Sequence, residues 1–65
     1  AMPRMSKREQ QVFILLAQGQ RIKDVAGHLG LSANTVSTYR ARIMKKLGIS
    51  NMTELIQYAL RMGMI

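Results

Sequence analysis

The tightest constraint on how this chain can fold lies in Gly30-Leu31-Ser32-Ala33, set between two helical repeats. Before it, Val25, Ala26 and Leu29 recur on one helix face, and after it Val36, Ile43 and Leu47 do the same. Gly30 can take the left-handed conformation that closes a helix without the clash a Cβ would bring. Ser32 then supplies an N-cap hydroxyl for a helix beginning at Ala33. Leu31 is apolar within the turn, where it can plug the angle between the two helices, and Ala26 is small where steeply crossed helices leave little room. The expected unit is a pair of short helices, about residues 22–29 and 33–47, joined by a tight turn.

At about 100° per residue, and with Val36 at zero, Ile43 and Leu47 lie within about 20° of it and Tyr39 about 60° away. That side is predicted to face the core. Asn34, Ser37, Thr38, Ala41, Arg42 and Lys45 spread over the other side, between roughly 100° and 240°. Side chains there are short near the helix start and basic toward its end. Arg40 sits at the rim, where its stem can pack while the guanidinium escapes. Short side chains let a helix backbone approach base edges in a major groove, and flanking cations reach phosphates.

Charge supports a polyanionic partner. The 65 residues carry a net charge of +7, with only Glu9, Asp24 and Glu54 as acids, while Arg40, Arg42, Lys45 and Lys46 crowd one helix. Charge alone would fit RNA or an anionic membrane equally well; the helical pair favours double-stranded DNA. A chain of this length holds one small domain with a thin core. Hydrophobic residues make up 48% of it with only three aromatics, so the core must come from Leu, Ile, Val, Met and Ala, which suits packed helices. No cysteine is present, which excludes a disulfide framework and a thiolate metal site. One isolated histidine and three scattered acids give no acid–base pair or metal cluster, so neither enzymatic activity nor a cofactor is expected. The longest apolar run, Val12 to Ala17, is too short to span a bilayer, no signal peptide is expected, and a cytoplasmic location follows.

The flanking segments read as scaffold. Ala1-Met2 has the look of a tag scar, and Pro3 and Arg4 of a linker, so the domain is expected over residues 6–65. Ser6 with Glu9 forms a capping box that starts a first helix, about residues 7–18, with Val12, Phe13, Leu16 and Ala17 on the face of Glu9 and Leu15 widening it. Ile14 points away from that face, and Gly19 ends the helix. Arg21 stands at the cap of the second helix, where Ser or Thr is usual, and leaves N–H groups that either fray or donate to a phosphate, with Lys23 beside them. His28 is expected to be exposed. After Gly48, Asn51 and Glu54 repeat the capping box for a fourth helix, about residues 52–62, whose core stripe is Met52, Leu55, Ile56 and Ala59. Thr53, Gln57, Leu60 and Arg61 lie elsewhere on its wheel. Leu60 beside Gln57 is a candidate for self-association; the competing reading makes Leu60 the edge of the core with Met64 and Ile65.

The segments SKREQQVFILLAQG, KDVAGHLGLSANTVSTYRARIMKKLGI and TELIQYALRMGMI resemble the four-helix DNA-binding domain of the LuxR family, also called the NarL/FixJ or GerE type. The resemblance covers Ser6 to Ile65. Arg8-Glu9, Gly19, Lys23, Val25-Ala26, Leu29, Leu31-Ser32, Thr35-Val36, Lys46-Leu47-Gly48 and Glu54-Leu55 all fall on its pattern. It implies an all-α four-helix bundle containing a helix-turn-helix, acting in transcription regulation as the output domain of a two-component response regulator under phosphorelay control. In the family the positions of Ser37, Thr38 and Ala41 face bases, with Asn34 added here from the wheel. Those of Thr35 and Lys46 touch phosphate, where Lys23, Arg40, Arg42 and Lys45 also reach. The fourth helix joins two copies on DNA, which assigns Thr53, Gln57, Leu60 and Arg61 to a homodimer. Many members carry longer or basic residues at the positions of Ser37 and Ala41; here both are short, so direct base readout is expected to be sparse.

Two other readings compete. A sigma-factor-like promoter-reading domain shares the REQ start and the helix-turn-helix but does not ordinarily continue into an ELIQYA-like helix. A protein-interaction module that contacts RNA polymerase without DNA would lack affinity for nonspecific DNA at low salt.

Overall fold

The computed structural model describes residues 5–65, so the expected scar and linker over residues 1–4 lie outside it. Four helices follow in order: α1 (Lys7–Ala17), α2 (Ile22–Leu29), α3 (Ala33–Leu47) and α4 (Met52–Arg61). No strand occurs among the described residues. The helices α1 and α4 stop one residue short of their expected ends, with Gln18 and Met62 as C-caps.

Each helix begins where a side chain satisfies its exposed N–H groups, except one. In α1 the Ser6 hydroxyl accepts from the Glu9 N–H at 3.1 Å, and the Glu9 carboxylate accepts from the Ser6 N–H at 2.8 Å, completing the box. Ser32 caps α3 by accepting from the Thr35 N–H, and Asn51 caps α4 by accepting from the Glu54 N–H. Arg21 caps α2 without any side-chain hydrogen bond, as its side-chain chemistry requires.

The turn between α2 and α3 closes as its sequence dictates. Gly30 sits at φ 66° and ψ 34°, and the N–H groups of Gly30 and Leu31 both donate to the Ala26 carbonyl. Ser32 returns to extended backbone and α3 starts at once. Gly48 ends α3 in the same left-handed state.

Phe13, Val12, Val25, Val36, Ile43, Leu55 and Ala59 are fully buried, with Leu16 and Ala17 nearly so. These residues come from all four helices and form a single cluster. The helix α1 packs against each of the other three, while α4 makes its principal contacts with α1, so α1 is the hub that ties the α2–α3 pair to α4. Three departures from the expected pattern stand out. Met5, one residue before the expected domain boundary, is buried in the core cluster. Ile56, expected in the α4 stripe, is only half-buried, whereas Tyr58 packs on the core with its ring edge-on to Phe13 at 6.1 Å and 74°. Ile14 is half-buried rather than pointing freely outward, and lines a shallow groove with Gln11, Leu15, His28 and Leu29. Periodicity assigns faces, but a long amphipathic side chain such as Tyr at a stripe's border can swing into the core, and neither pattern nor propensity decides that.

Candidate nucleic-acid interface

The inner face of α3 is fixed by Val36 and Ile43, both 0% exposed, with Tyr39 and Leu47 packed against the core beside them. Once those are inside, the geometry of a helix leaves no choice about what is outside. Asn34, Thr35, Ser37, Thr38, Ala41, Arg42, Lys45 and Lys46 are all exposed, and Arg40 is half-buried at the rim. The orientation expected from the sequence is the one observed. A strip of short side chains runs along the first half of α3, with cations over its second half.

Two hydroxyls on this face are already engaged. The Thr38 Oγ1 donates to the Asn34 carbonyl at 3.1 Å, which holds its methyl group and leaves oxygen lone pairs outward. The Thr35 Oγ1 lies 2.9 Å from the Ser32 Oγ, so the cap and the second hydroxyl form one small polar knot at the start of α3. Lys23 is exposed on α2, and its neighbour Arg21 is exposed at the bare end of that helix. His28 is exposed, as expected.

At the far end of α3 the structure contains a contact that the sequence did not announce. The Lys46 Nζ lies 2.8 Å from the Glu9 Oε1, and the two side chains are 43% and 5% exposed. The same carboxylate oxygen accepts from the Ser6 N–H. One buried oxygen thus links the start of α1 to the end of α3, across 37 positions of sequence. The lysine hydrogen bond first, then the Ser6 N–H, hold the Glu9 carboxyl below the usual carboxylate range against the opposing cost of burial.

The stability consequence has a definite sign. A carboxyl whose folded pKa lies below its unfolded value contributes stability that is present above the unfolded pKa and lost as pH falls through the folded one. Resistance to denaturation should therefore be level above about pH 5 and decline in acid. Lys46→Met removes the largest cause, and with the lysine partly solvated it should cost about 1.5 kcal/mol at neutral pH. The decline in acid should also become shallower. Urea titrations at several pH values read both effects, and an acid limb as steep in Lys46→Met as in the parent would show that the pair is not its source.

This combination defines a class: a helix-turn-helix domain whose second helix of the pair presents a small, basic, outward face. The chain matches the family described as "Bacterial regulatory proteins, luxR family" over residues 3–59, and it belongs to that family as its helix-turn-helix DNA-binding domain. It is 53% identical over 51 residues to the transcriptional regulatory protein UhpA of Escherichia coli (strain K12), covering 78% of this chain and 26% of that protein. To the virulence factors putative positive transcription regulator BvgA of Bordetella pertussis it is 47% identical over 57 residues, covering 88% and 27%. To the response regulator UvrY of Escherichia coli (strain K12) it is 37% identical over 60 residues, covering 92% and 28%. The chain thus spans little more than a quarter of the length of these relatives. No helix among the described residues is long and apolar enough to cross a membrane.

Proposed function

We propose that α3 enters the major groove of double-stranded DNA with Asn34, Ser37, Thr38 and Ala41 at base edges. Lys23, Thr35, Arg40, Arg42, Lys45 and Lys46 then lie against phosphates, and Thr53, Gln57, Leu60 and Arg61 on α4 join two copies. The observation that carries this reading is the outward face of α3, held by two fully buried residues behind it and free of covering helices. Phosphate contacts supply most of the affinity and the salt dependence, while the short side chains let the backbone come close to the bases. Leu60, at 58% exposure, is not an edge of the core, which supports its use in pairing.

In the whole protein this domain serves as the effector end of a cytoplasmic bacterial response regulator, with phosphorylation elsewhere controlling its access to DNA. The support is that relatives over most of this chain carry the names response regulator and transcriptional regulatory protein. The sigma-like and polymerase-only readings lose to the family match.

Selection of binding sites from random duplexes tests the docking and reports the half-site. Thr38→Ala should shift the preferred base at one position, a discrimination of about 1–3 kcal/mol, while leaving the slope of affinity against salt unchanged. Recovery of random sequences by the parent chain, with affinity insensitive to salt, would sink the proposal.

A further inference from the structure

The chain enters the domain at Met5 and Ser6, and both are tied down. Met5 is 9% exposed and belongs to the core cluster, and its carbonyl accepts from the Gln10 side-chain amide at 3.3 Å. The Ser6 N–H donates to the Glu9 Oε1 at 2.8 Å, and the Ser6 carbonyl accepts from the Gln10 N–H at 2.9 Å. Glu9 is fixed from its other sides as well. Its backbone N–H donates to the Ser6 hydroxyl, its carboxylate lies at the positive end of α1, and its side chain is 5% exposed. A carboxylate held in this way cannot follow a moving partner, so whatever bonds to it is fixed in turn.

The group that bonds to it is the Lys46 ammonium, 2.8 Å from the same Oε1. Among the described residues Lys46 is the one cation assigned to phosphate whose charge is engaged in an ion pair; Lys23, Arg40, Arg42 and Lys45 stand on α2 and α3 without one. Its side chain remains 43% exposed, so the anchor has not withdrawn it from a ligand. A lysine stem turns about four bonds, and ordering it is among the larger side-chain entropy costs of binding. In Lys46 a buried carboxylate restricts that stem before any phosphate arrives.

We propose that Glu9 is a positioning residue for DNA binding, holding the Lys46 ammonium at one point beside the end of α3, and that the shared Oε1 makes this hold depend on how Met5 and Ser6 are seated. The proposal rests on the reading that Lys46 touches phosphate, and it adds what aims the lysine. The link is contiguous, running from the Met5 side chain in the core through the Ser6 N–H and one carboxylate oxygen to the lysine. A pull on the segment preceding Ser6 withdraws the N–H that orients the carboxylate and loosens the lysine on the other side of that oxygen. The entry point of the chain and a phosphate contact at the end of α3 thus share one atom.

Glu9→Gln alone does not test this, because it removes a negative charge and raises affinity for any duplex whatever the role of the residue. A double-mutant cycle with Lys46→Met does. Glutamine completes a capping box as glutamate does, so α1 keeps its start, and the direct interaction of residue 9 with DNA cancels between the two arms. The folded fraction of each chain is measured by circular dichroism and divided out. Lys46→Met should then lower affinity for a duplex about tenfold in the parent and about threefold in the Glu9→Gln background. Its effect on the slope of log affinity against log salt should shrink from about one to about half. A purely structural role would leave both figures alike in the two backgrounds. Met5→Ala tests the entry: it should weaken binding about threefold in the parent and leave the Lys46→Met chain unchanged. Should Glu9→Gln fail to fold, the Met5→Ala comparison decides alone. An equal or larger loss from Lys46→Met in the Glu9→Gln background overturns the positioning role, and so does a parent chain that binds DNA without help from Lys46. A Met5→Ala effect of the same size with and without Lys46 overturns the dependence on the entry segment. A parent chain with no affinity for any duplex at low salt brings down the DNA reading, and this proposal with it.

Discussion

Replacement of Arg40, Arg42 and Lys45 together by glutamine should lower affinity for any duplex by about two to three orders of magnitude at 0.1 M salt. The slope of log affinity against log salt should flatten by about three. Each phosphate neutralised releases nearly one condensed counterion, and at that salt the release contributes roughly tenfold per contact. Glutamine retains most of each side chain's apolar stem, which matters at half-buried Arg40 and little at exposed Arg42 and Lys45. Helicity and urea midpoint should stay within the error of the parent. Lys46 is left out of the set because its removal also strips a partner from buried Glu9 and mixes a folding effect into the binding one. Filter binding or anisotropy at four salt concentrations separates the outcomes. A parallel displacement of the line, with its slope preserved, would mean that these cations shape the surface without touching the backbone of DNA.

The prediction depends on which way α3 faces, and that was readable from four apolar positions. Val36, Ile43, Leu47 and Tyr39 define an inner arc, and a rigid helix converts an inner arc into an outer one with no further information. The turn was equally legible, since Gly30 and Ser32 each do something that few residues can do at those positions. What stayed hidden has a common character. The Glu9 carboxylate was placed on the core side of α1 by its spacing with Val12 and Phe13, but its partner arrives from 37 positions away, and no local rule names it. Tyr58 lies at the margin of the α4 stripe, and its choice of the core over Ile56 depends on the shape that Phe13 leaves open. Met5 sits in a segment with no repeat to read, yet it is buried. Periodicity reports the direction of a side chain; contact between distant elements depends on the assembled volume, which only the fold supplies.

That assembled volume makes Phe13 the residue with the largest expected effect on the molecule as a whole. Its ring is 0% exposed, it meets Tyr58 edge-on, and it belongs to the helix that packs on all three others. Phe13→Ala should cost about 3–5 kcal/mol, the transfer loss plus the void left behind. A domain of this length has in total about 3–10 kcal/mol to lose. The variant should therefore be largely unfolded at 37 °C, and it should lose DNA affinity through its folded fraction rather than through any contact. Phe13→Leu, which keeps most of the volume, should remain folded with a reduced midpoint. Because α4 is tied to α3 chiefly through α1, even the folded fraction of Phe13→Leu should show weaker cooperativity on two sites if the proposed pairing holds. Tyr58 loses its edge-on brace in that variant, so the ring on which Arg61 rests is less firmly held. Leu60→Ala provides the contrast: at 58% exposure it should leave the urea midpoint almost unchanged and reduce cooperativity on two sites. A Phe13→Ala chain that melts within about 1 kcal/mol of the parent would mean that α1 is not the hub, and the coupling between α3 and α4 would have to run by another path.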